Sequence, residues 1–336
     1  MDMFSLRLCI LAAVQFLALS FTSLAAGQTP SPALLVLEKQ DRSMAIVDLG
    51  SLKIVGRVPV GEDPHEIVVS NDGKLAYISN YGAFSKPQNT LSVVDLTSQK
   101  PLAPVDLGAL RAPHGLYLLN DEVYFTAEGS KAIGCYDPAQ KKLEWIVGTG
   151  QNRTHMIAVA PDVSRIYTAN IASDTITFFD HDKNADSSGW TEVDIPVGKA
   201  PEGFDISPDG KELWAASHER MVSIIDTATK KVVQTIDIHT KFANRLKFTP
   251  DGKQVLVSDL GNGDLILLDT ASRQELKRIS LGHGVAGVLI APDASVAYVA
   301  VSANNNVAVV DLKTFSVVGR VPTGKGPDGL AWAVRR

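Results

Sequence analysis

The chain has 336 residues, of which 45% are hydrophobic and 21% are charged, and its formal net charge is -5. This composition supports a large folded core and excludes a globally disordered chain. The negative charge argues against a surface that binds nucleic acid or an anionic membrane.

The N-terminus has the pattern of a cleaved secretory signal. The stretch MDMFSLR carries Arg7, the apolar run LCILAAVQFLALSF follows it, and SLAAGQTP supplies small residues for signal peptidase. We predict a signal peptide over residues 1–25, with cleavage after Ala25 or Ala26. An uncleaved anchor is the competing interpretation, but the apolar run is shorter than the ~20 residues that span a bilayer. The sequence therefore predicts a periplasmic or secreted protein without a membrane span after signal removal.

Cysteine usage limits the covalent chemistry of the mature chain. Cys9 lies inside the signal, so Cys135 is left alone and no intramolecular disulfide is expected. The chain has no C-x-x-C-H motif for covalent haem, and no helix is expected after GHGVAG at 282–287 to present amides to a phosphate. We therefore expect neither a haem nor a nucleotide cofactor. We also expect a monomer whose fold is stabilised by side-chain packing and not by disulfides.

Seven repeats occupy the rest of the chain. Each contains an apolar run that ends in aspartate, and these residues lie 42 to 47 positions apart: Asp48, Asp95, Asp137, Asp180, Asp226, Asp269 and Asp311. Each unit is typical of four short strands, joined by turns such as NDGK, SPDGK and TPDGK. One aspartate per unit at a strand end is explained as an acceptor for turn amides, so we do not assign catalysis to this series.

The two ends of the repeat region share one unit between them. The first unit starts part-way through, at ALLVLEKQDRSMAIVD, whereas GKGPDGLAWAV near the C-terminus matches the first strand of the other units. An open solenoid would not require this division. We predict an all-β seven-bladed β-propeller over residues 26–336, with four-stranded antiparallel blades and a C-terminal strand that joins the first blade and closes the ring.

The repeats resemble the YVTN family of seven-bladed propellers over residues 33–334. GEDPHEIVVSNDGKLAYISNY and GKAPEGFDISPDGKELWAAS carry the resemblance most clearly. It implies a propeller strongly and an activity weakly, because that family includes surface-layer proteins, periplasmic proteins and relatives of lactone-handling enzymes. Function must therefore be argued from the site.

One residue per repeat falls at the start of the predicted innermost strand, where the blades meet around the channel mouth. These seven positions hold His65, His114, His155, Glu202, Asn244, Ala286 and Asp328. Three imidazoles and the Glu202 carboxylate form a set suited to Zn²⁺, Cu²⁺, Mn²⁺ or Fe²⁺. The alternative is a solvated rim that accepts any polar residue.

A second ring is predicted at the end of the next strand. It contains Glu38, Asn80, Glu128, Asn170, His218 and Asp259. Asparagine is usual here and is expected to bond to backbone, so Glu128 and His218 are the candidates for proton transfer. An oxygen-rich subset would suit Ca²⁺ instead: Glu38, Asn80, Asn170, Glu202 and Asp259.

Two arginines flank the first ring and, together with Asn244 of that ring, are candidates for binding a substrate. Arg153 precedes His155 by two residues, and Arg245 follows Asn244 directly. A guanidinium can hold a carboxylate or phosphate in a bidentate fork. Either arginine can equally be an ordinary ion-paired residue.

Two classes of function remain open from the sequence. The first is a module that binds a divalent metal, a small molecule or a partner protein without turnover. The second is a metal-assisted lyase or hydrolase, lactonase-like, that acts on a small oxygenated substrate.

Overall fold

The computed structural model describes residues 28–335 apart from residues 84 and 183–188. In that part of the chain the strands form seven antiparallel sheets, each a blade of one propeller. The predicted fold is confirmed. The predicted signal peptide, residues 1–25, lies outside the described residues. None of the described helices is long and apolar enough to cross a membrane.

The innermost strands line the central channel. They are β4 (Pro64–Val69), β9 (Pro113–Leu119), β13 (Thr154–Val159), β17 (Pro201–Ile206), β21 (Ala243–Phe248), β25 (Val285–Ile290) and β29 (Pro327–Ala333). Neighbouring innermost strands contact one another all the way round the ring, and β29 contacts both β25 and β4.

The second and third strands of each blade follow outward. The second strands are β1 (Ala33–Glu38), β5 (Leu75–Ala83), β10 (Glu122–Ala127), β14 (Arg165–Asn170), β18 (Glu212–Ser217), β22 (Gln254–Asp259) and β26 (Val296–Val301). The third strands are β2 (Ser43–Asp48), β6 (Lys86–Asp95), β11 (Ala132–Asp137), β15 (Thr175–His181), β19 (Met221–Asp226), β23 (Asp264–Asp269) and β27 (Asn306–Asp311).

The outermost strands complete the blades. They are β3 (Lys53–Pro59), β7 (Lys100–Pro101) with β8 (Val105–Asp106), β12 (Lys142–Gly148), β16 (Trp190–Pro196), β20 (Lys231–Asp237), β24 (Glu275–Ser280) and β28 (Ser316–Pro322). Among the described strands, only blade 2 divides its outer edge into two pieces, since both β7 and β8 pair with β6.

Ring closure occurs in the first blade, whose strand order is β29-β1-β2-β3. Ala33 pairs with Ala333 and Leu35 pairs with Ala331, so the C-terminal strand is the innermost strand of the blade that starts the chain. This arrangement leaves no unpaired edge where the two ends of the ring meet.

The core lies between adjacent blades, not inside any one of them. Trp214 of blade 5 packs edge-on against Phe248 of blade 6, with 5.6 Å between ring centroids. Second and third strands are buried on both faces, whereas outer strands such as β12 alternate between exposed and half-buried residues. Apolar runs without alternation therefore mark the middle of each blade.

Candidate functional site at the channel mouth

Glycines in the innermost strands bring the rim residues together. A Cβ on Gly115 would lie 2.5 Å from the carbonyl oxygen of His155, and one on Gly203 would lie 2.3 Å from that of Asn244. Because glycine allows this close approach of neighbouring backbones, the side chains one position earlier are forced into contact. The P-x-G pattern of the repeats therefore determines how tightly the mouth is packed.

Three imidazoles form a continuous column along one side of the mouth. The ring centroids of His65 and His114 are 4.5 Å apart, and those of His114 and His155 are 3.5 Å apart. His114 and His155 are buried, with 1% and 5% of their surface exposed. The structure therefore brings together the three histidines that the sequence singled out.

A carboxylate behind the column holds one end of it in place. His155 Nδ1 donates to Glu128 Oε2 over 2.7 Å, and Arg153 Nε and the Tyr81 hydroxyl both donate to Glu128 Oε1, over 2.8 and 2.7 Å. Glu128 sits at the start of a short 3₁₀ turn, Glu128–Ser130, directly after β10. Its oxygens are thus used to orient His155.

Glu202 is the centre of a second network. It accepts hydrogen bonds from His218 Nε2 at 2.7 Å, from the Asn244 amide, and from Arg245 Nη1 at 3.3 Å. His155 Nε2 lies 3.6 Å from Glu202 Oε1. That nitrogen is buried and has no hydrogen-bond partner among the described residues.

The His65 end of the column contacts a lysine that lies between two acids. Lys39 Nζ lies 3.3 Å from Asp328 and 3.7 Å from Asp63, and it donates to His65 Nε2 over 2.7 Å. His65 Nδ1 donates to the Asp63 carbonyl oxygen over 2.9 Å. Both nitrogens of His65 are therefore engaged.

Arg245 joins blades that the sequence keeps far apart. Its Nη2 donates to Glu66 Oε1 of blade 2, and its Nη1 donates to Glu202 of blade 5. Glu66 occupies the position that holds Gly115, Gly203 and Gly287 in other repeats. Arg245 is buried and doubly paired, which suits a structural ion pair across the channel.

Burial and neighbouring charges separate the pKa values of the three histidines. Burial, followed by the positive charge of Lys39, lowers the pKa of His65 to about 4. Burial and the adjacent His155 hold the pKa of His114 well below its usual range. Burial opposes a charge on His155 too, but its hydrogen bond to Glu128 and the nearby negative charge of Glu202 outweigh this effect and raise its pKa.

The two buried glutamates are stabilised as carboxylates. Burial alone would raise the pKa of Glu128, yet hydrogen bonds from His155, Arg153 and Tyr81 lower it to about 2. Burial likewise opposes ionisation of Glu202, and the adjacent His155 and the hydrogen bond from His218 reverse that effect and hold its pKa well below the usual range. The mouth thus offers anionic oxygens beside imidazole nitrogens.

Most of the predicted site residues line one cavity of about 430 Å³. They are His65, His114, Arg153, His155, Glu202, Asn244 and Arg245. Glu128 and His218 lie directly behind this lining, in contact with His155 and Glu202. Lys39, Glu66 and Tyr81 belong to the same networks and were missed by the sequence analysis. A usable indication existed for Glu66, because it replaces a repeated glycine.

The oxygen-bearing residues proposed for Ca²⁺ do not meet at one common site in the structure. Asp259 accepts two backbone N–H bonds from its own bend and two from Lys241 and Phe242, Asn170 donates to Thr175 and Thr177, and Asn80 bonds to Thr90 and Ser92. Glu38 binds Arg57, Ser43 and the Gly324 amide. Each of these oxygen-bearing groups is used within its own blade or at the ring closure.

The described residues place three potential metal ligands close together on blade 3 and not at the channel mouth. Only Glu122, Cys135 and Glu144, on the outer part of blade 3, bring three potential ligand atoms within 4.8 Å of one another. At the mouth the corresponding close contact is a pair, His155 Nε2 and Glu202 Oε1. The stacked rings of His65, His114 and His155 do not point their nitrogens at one common position in this conformation.

Comparisons with known proteins place this architecture among propellers. Antigen Lp49 of Leptospira interrogans is 25% identical over 250 residues, 67% of this chain, and the chain spans only 52% of that antigen's length. A Bacteroides uniformis structure described as a candidate 6-phosphogluconolactonase has a TM-score of 0.73 at 14% identity, covering 90% of this chain and 99% of the other. The lactonase-like propeller relationship expected from the sequence is confirmed at the level of the fold.

A second solved structure relates the fold to tetrapyrrole proteins. The dihydro-heme d1 dehydrogenase NirN, solved in complex with DHE, has a TM-score of 0.63 at 17% identity, covering 89% of this chain and 74% of that protein. The family model described as the Cytochrome D1 heme domain matches residues 85–288. That match includes more than half of the sequence and both buried glutamate networks of the mouth, so the chain belongs to the cytochrome D1 heme domain family.

Proposed function

We propose that the channel mouth binds a divalent transition-metal ion through His155 Nε2 and Glu202, with His114 as the third ligand. The observation that carries the proposal is the environment of His155. Its Nδ1 donates to Glu128, while its Nε2 is buried without a hydrogen-bond partner among the described residues and lies 3.6 Å from Glu202 Oε1. A metal-ligating histidine typically donates its other ring N–H to a carboxylate in this way.

The spacing of the two atoms supports the same reading. Two ligands bound to one tetrahedral ion at about 2.1 Å each stand roughly 3.3 Å apart. A separation of 3.6 Å between His155 Nε2 and Glu202 Oε1 therefore needs only a small adjustment to accept an ion. Imidazole with carboxylate favours Zn²⁺, Cu²⁺, Mn²⁺ or Fe²⁺ over Ca²⁺.

The balance of fixed charges also favours uptake of a cation. Five carboxylates belong to the networks of the mouth: Asp63, Glu66, Glu128, Glu202 and Asp328. Three permanently charged side chains oppose them: Lys39, Arg153 and Arg245. A divalent ion would compensate this excess of two negative charges in a buried setting.

His114 supplies the third ligand after a change of rotamer. Its Nδ1 is buried and has no hydrogen-bond partner among the described residues. Its ring lies against that of His155 at 3.5 Å between centroids, so ligation requires the ring to turn out of the stack. His65 is held by Lys39 and Asp63 and would stay beside the ion.

A haem is the other cofactor to consider, since the family is described by its haem domain. The lack of C-x-x-C-H bears only on covalent attachment, and non-covalent haem needs an axial ligand and broad apolar walls. Imidazoles are present, but the apolar side chains that line the cavity are Phe242, Leu260 and Ala286. The rest of the lining is mostly charged or polar, and the stacked rings of His114 and His155 leave no gap for a macrocycle. The residues present therefore do not fit a haem.

A metal-assisted lyase or hydrolase reaction is the second candidate function. Arg153 favours it: the side chain is 48% exposed, lines the cavity, and uses only Nε to bind Glu128. Its two terminal nitrogens donate to no carboxylate in the described part of the chain and suit the carboxylate of a small substrate. Such a substrate would occupy the coordination position that protein ligands leave open.

We further propose that the protein works outside the cytoplasm, in the periplasm or after secretion. The secretory pattern of residues 1–25 supports this location. A small-molecule ligand is the expected partner, since the mouth is a concave cavity and not a flat surface.

The test is the metal content and absorption spectrum of the untagged mature protein beside three variants. We expect close to one equivalent of transition metal, lost in His155→Ala and in His114→Ala and retained in His239→Ala, which changes an exposed histidine away from the cavity. Protein that neither contains metal nor takes up added Zn²⁺, Cu²⁺, Mn²⁺ or Fe²⁺ would overturn the proposal. A haem Soret band would assign the site to the family cofactor instead.

A further inference from the structure

We propose that the broken outer edge of blade 2 opens a second binding site, between blades 2 and 3, for a small molecule with an apolar body and a carboxylate head. This site is independent of the metal proposed at the mouth. β4 leads away from the mouth and β5 returns toward it, so Leu75 and Tyr77, near the start of β5, lie toward the opposite end of the strands.

The break has a cause in the sequence. The outer edge of blade 2 is KPLAPVD, and its two prolines cannot donate backbone hydrogen bonds to a neighbouring strand. β6 therefore pairs with Lys100–Pro101 and again with Val105–Asp106; the Leu102 amide still donates to the Val93 carbonyl oxygen, and residues 103–104 bulge away. The matching strand of blade 7, β28, pairs with β27 along Ser316–Pro322 with a single register shift.

The bulge leaves a cavity of about 610 Å³ over the seam between the two blades. Its walls include Leu75, Val93, Leu102, Pro104 and Leu143. The volume is within the usual range of small-molecule sites, about 300–1,000 Å³, and the walls suit a hydrocarbon or aromatic body.

Two tyrosine hydroxyls give this apolar cavity a polar end. Tyr77 and Tyr136 both line it and are only 3% and 8% exposed, and their ring centroids are 6.5 Å apart. Neither hydroxyl makes a hydrogen bond with a described residue, and both residues line the cavity, so each hydroxyl can bond a ligand there. Burial raises the pKa of Tyr77 to about 12, so its hydroxyl is a donor at neutral pH.

The charged residues at the edge of this cavity favour a ligand with a negatively charged head group. Lys141 and Lys142 line the same cavity, and neither is within ion-pair distance of a described carboxylate, although Lys142 is near enough to Asp137 to help lower the pKa of that acid. Asp106, the acid in the lining, already accepts bonds from Asn89 and the Gly108 amide. Two O–H donors beside two unpaired ammonium groups recognise a carboxylate better than a neutral or cationic head.

The experiment is calorimetric titration of the mature protein with octanoate and with phenylacetate, and with octan-1-ol as the compound without a charged head. We expect saturable binding of at least one acid and weaker binding of the alcohol. Tyr77→Phe combined with Tyr136→Phe keeps both rings and should weaken binding of the acid by roughly tenfold or more, since each bond to a charged group contributes about 1.5–3 kcal/mol. Ala103→Trp, at an exposed position of the bulge, should fill the cavity and abolish binding.

Two control variants separate this site from the rest of the molecule. Tyr298→Phe changes the same repeat position in blade 7, where the outer strand is unbroken, and His155→Ala changes the mouth; both should bind the acids like the wild type. No saturable binding of either acid to the wild type would overturn the proposal. So would equal affinities of the double tyrosine variant and the wild type, or octan-1-ol binding as tightly as octanoate.

Discussion

The start of the innermost strands and the end of the third strands are both repeated seven times, but they use their residues differently. Each third strand has an aspartate as its last or last but one residue, and in the described residues six of the seven bind the turn that follows: Asp48 accepts from the Ser51 amide at 2.8 Å, and Asp311 accepts from the Thr314 amide at 2.7 Å. The second residue of the innermost strands is histidine, glutamate, asparagine, alanine or aspartate. Every blade needs the same turn, whereas each rim residue faces a different neighbour across the channel.

Asp180 also makes contacts of another kind. Among the described residues, its two oxygens bind Arg165 of its own blade and Lys230 of blade 5. It therefore joins two blades, as Glu202 does at the mouth. The comparison teaches that most repeated aspartates bond within their own blade, that rim residues which differ between repeats, such as Glu202, bond between blades, and that Asp180 does so although it keeps the repeated residue.

The largest effect is expected from Glu202→Ala at the rim. The change removes the acceptor for His218, Asn244 and Arg245 and leaves buried donors without it. We expect a loss of about 3–5 kcal/mol in the free energy of unfolding, measured by denaturant titration. Glu62→Ala, which breaks a rim pair with the exposed Arg42, should cost under about 1 kcal/mol. Equal losses would contradict the central role of Glu202.

Glu128→Gln should act on the metal more than on the fold. The amide retains the shape of the side chain but loses the charge that orients His155. Loss of such an outer carboxylate typically lowers metal affinity about 10–100-fold, which titration with Zn²⁺ would measure. Glu275→Gln, on an outer strand and paired with Arg278, is the control and should leave affinity unchanged. An unchanged affinity in Glu128→Gln would show that the Glu128 carboxylate does not orient His155 as a metal ligand.

Gly115→Ala tests the packing that places the histidines in contact. Its new Cβ would lie 2.5 Å from the His155 carbonyl oxygen, so the two innermost strands must separate. We expect a loss of about 1–3 kcal/mol in the free energy of unfolding. Gly148→Ala introduces a Cβ with nothing within 4 Å and serves as the matched control. If both variants unfold alike, close strand approach is not what shapes the mouth.

Asp180→Asn should give the smallest change and a defined pH dependence. Burial opposes ionisation of Asp180, but hydrogen bonds from Lys230 and Arg165 outweigh it and lower its pKa. Because the folded pKa is the lower one, the stabilisation is complete above the unfolded value, about 3.9, and is lost as the pH falls through the folded value. We expect a difference of about 1 kcal/mol or less between wild type and variant near neutral pH, vanishing in acid. A difference that grows in acid would refute the sign of this linkage.

The fold was predictable because it depends on local, repeated patterns. Apolar runs, turn residues and the spacing from Asp48 to Asp311 define the blades, and the repeat divided between the ends predicts closure. The broken edge of blade 2 was not predicted, although Pro101 and Pro104 indicate it. The repeat pattern predicts four continuous strands in every blade. That prediction fails in blade 2, where prolines remove backbone N–H donors from the fourth strand.

The sequence was enough to predict where the site lies, but not which side chains bond to one another within it. Alignment of the repeats is enough to place His65, His114 and His155 side by side. It does not give the contact between Glu66 and Arg245, which are 179 residues apart and meet only when the ring is closed. Ring stacking, the Glu128 acceptor and the pKa differences depend on side-chain rotamers and burial, which a linear pattern does not contain.

Ring closure has a consequence for the timing of assembly. β29 follows the other described strands of the ring in chain order, and it brings Asp328 to Lys39 at the mouth. Until that strand pairs with β1, the growing chain has neither a continuous ring nor a complete charge network at its channel. Closing so long a loop is costly in entropy and slow, so the nascent propeller must wait until residues 327–333 are made. A chain that loses this strand by truncation or proteolysis would lose ring closure and part of the mouth in one event.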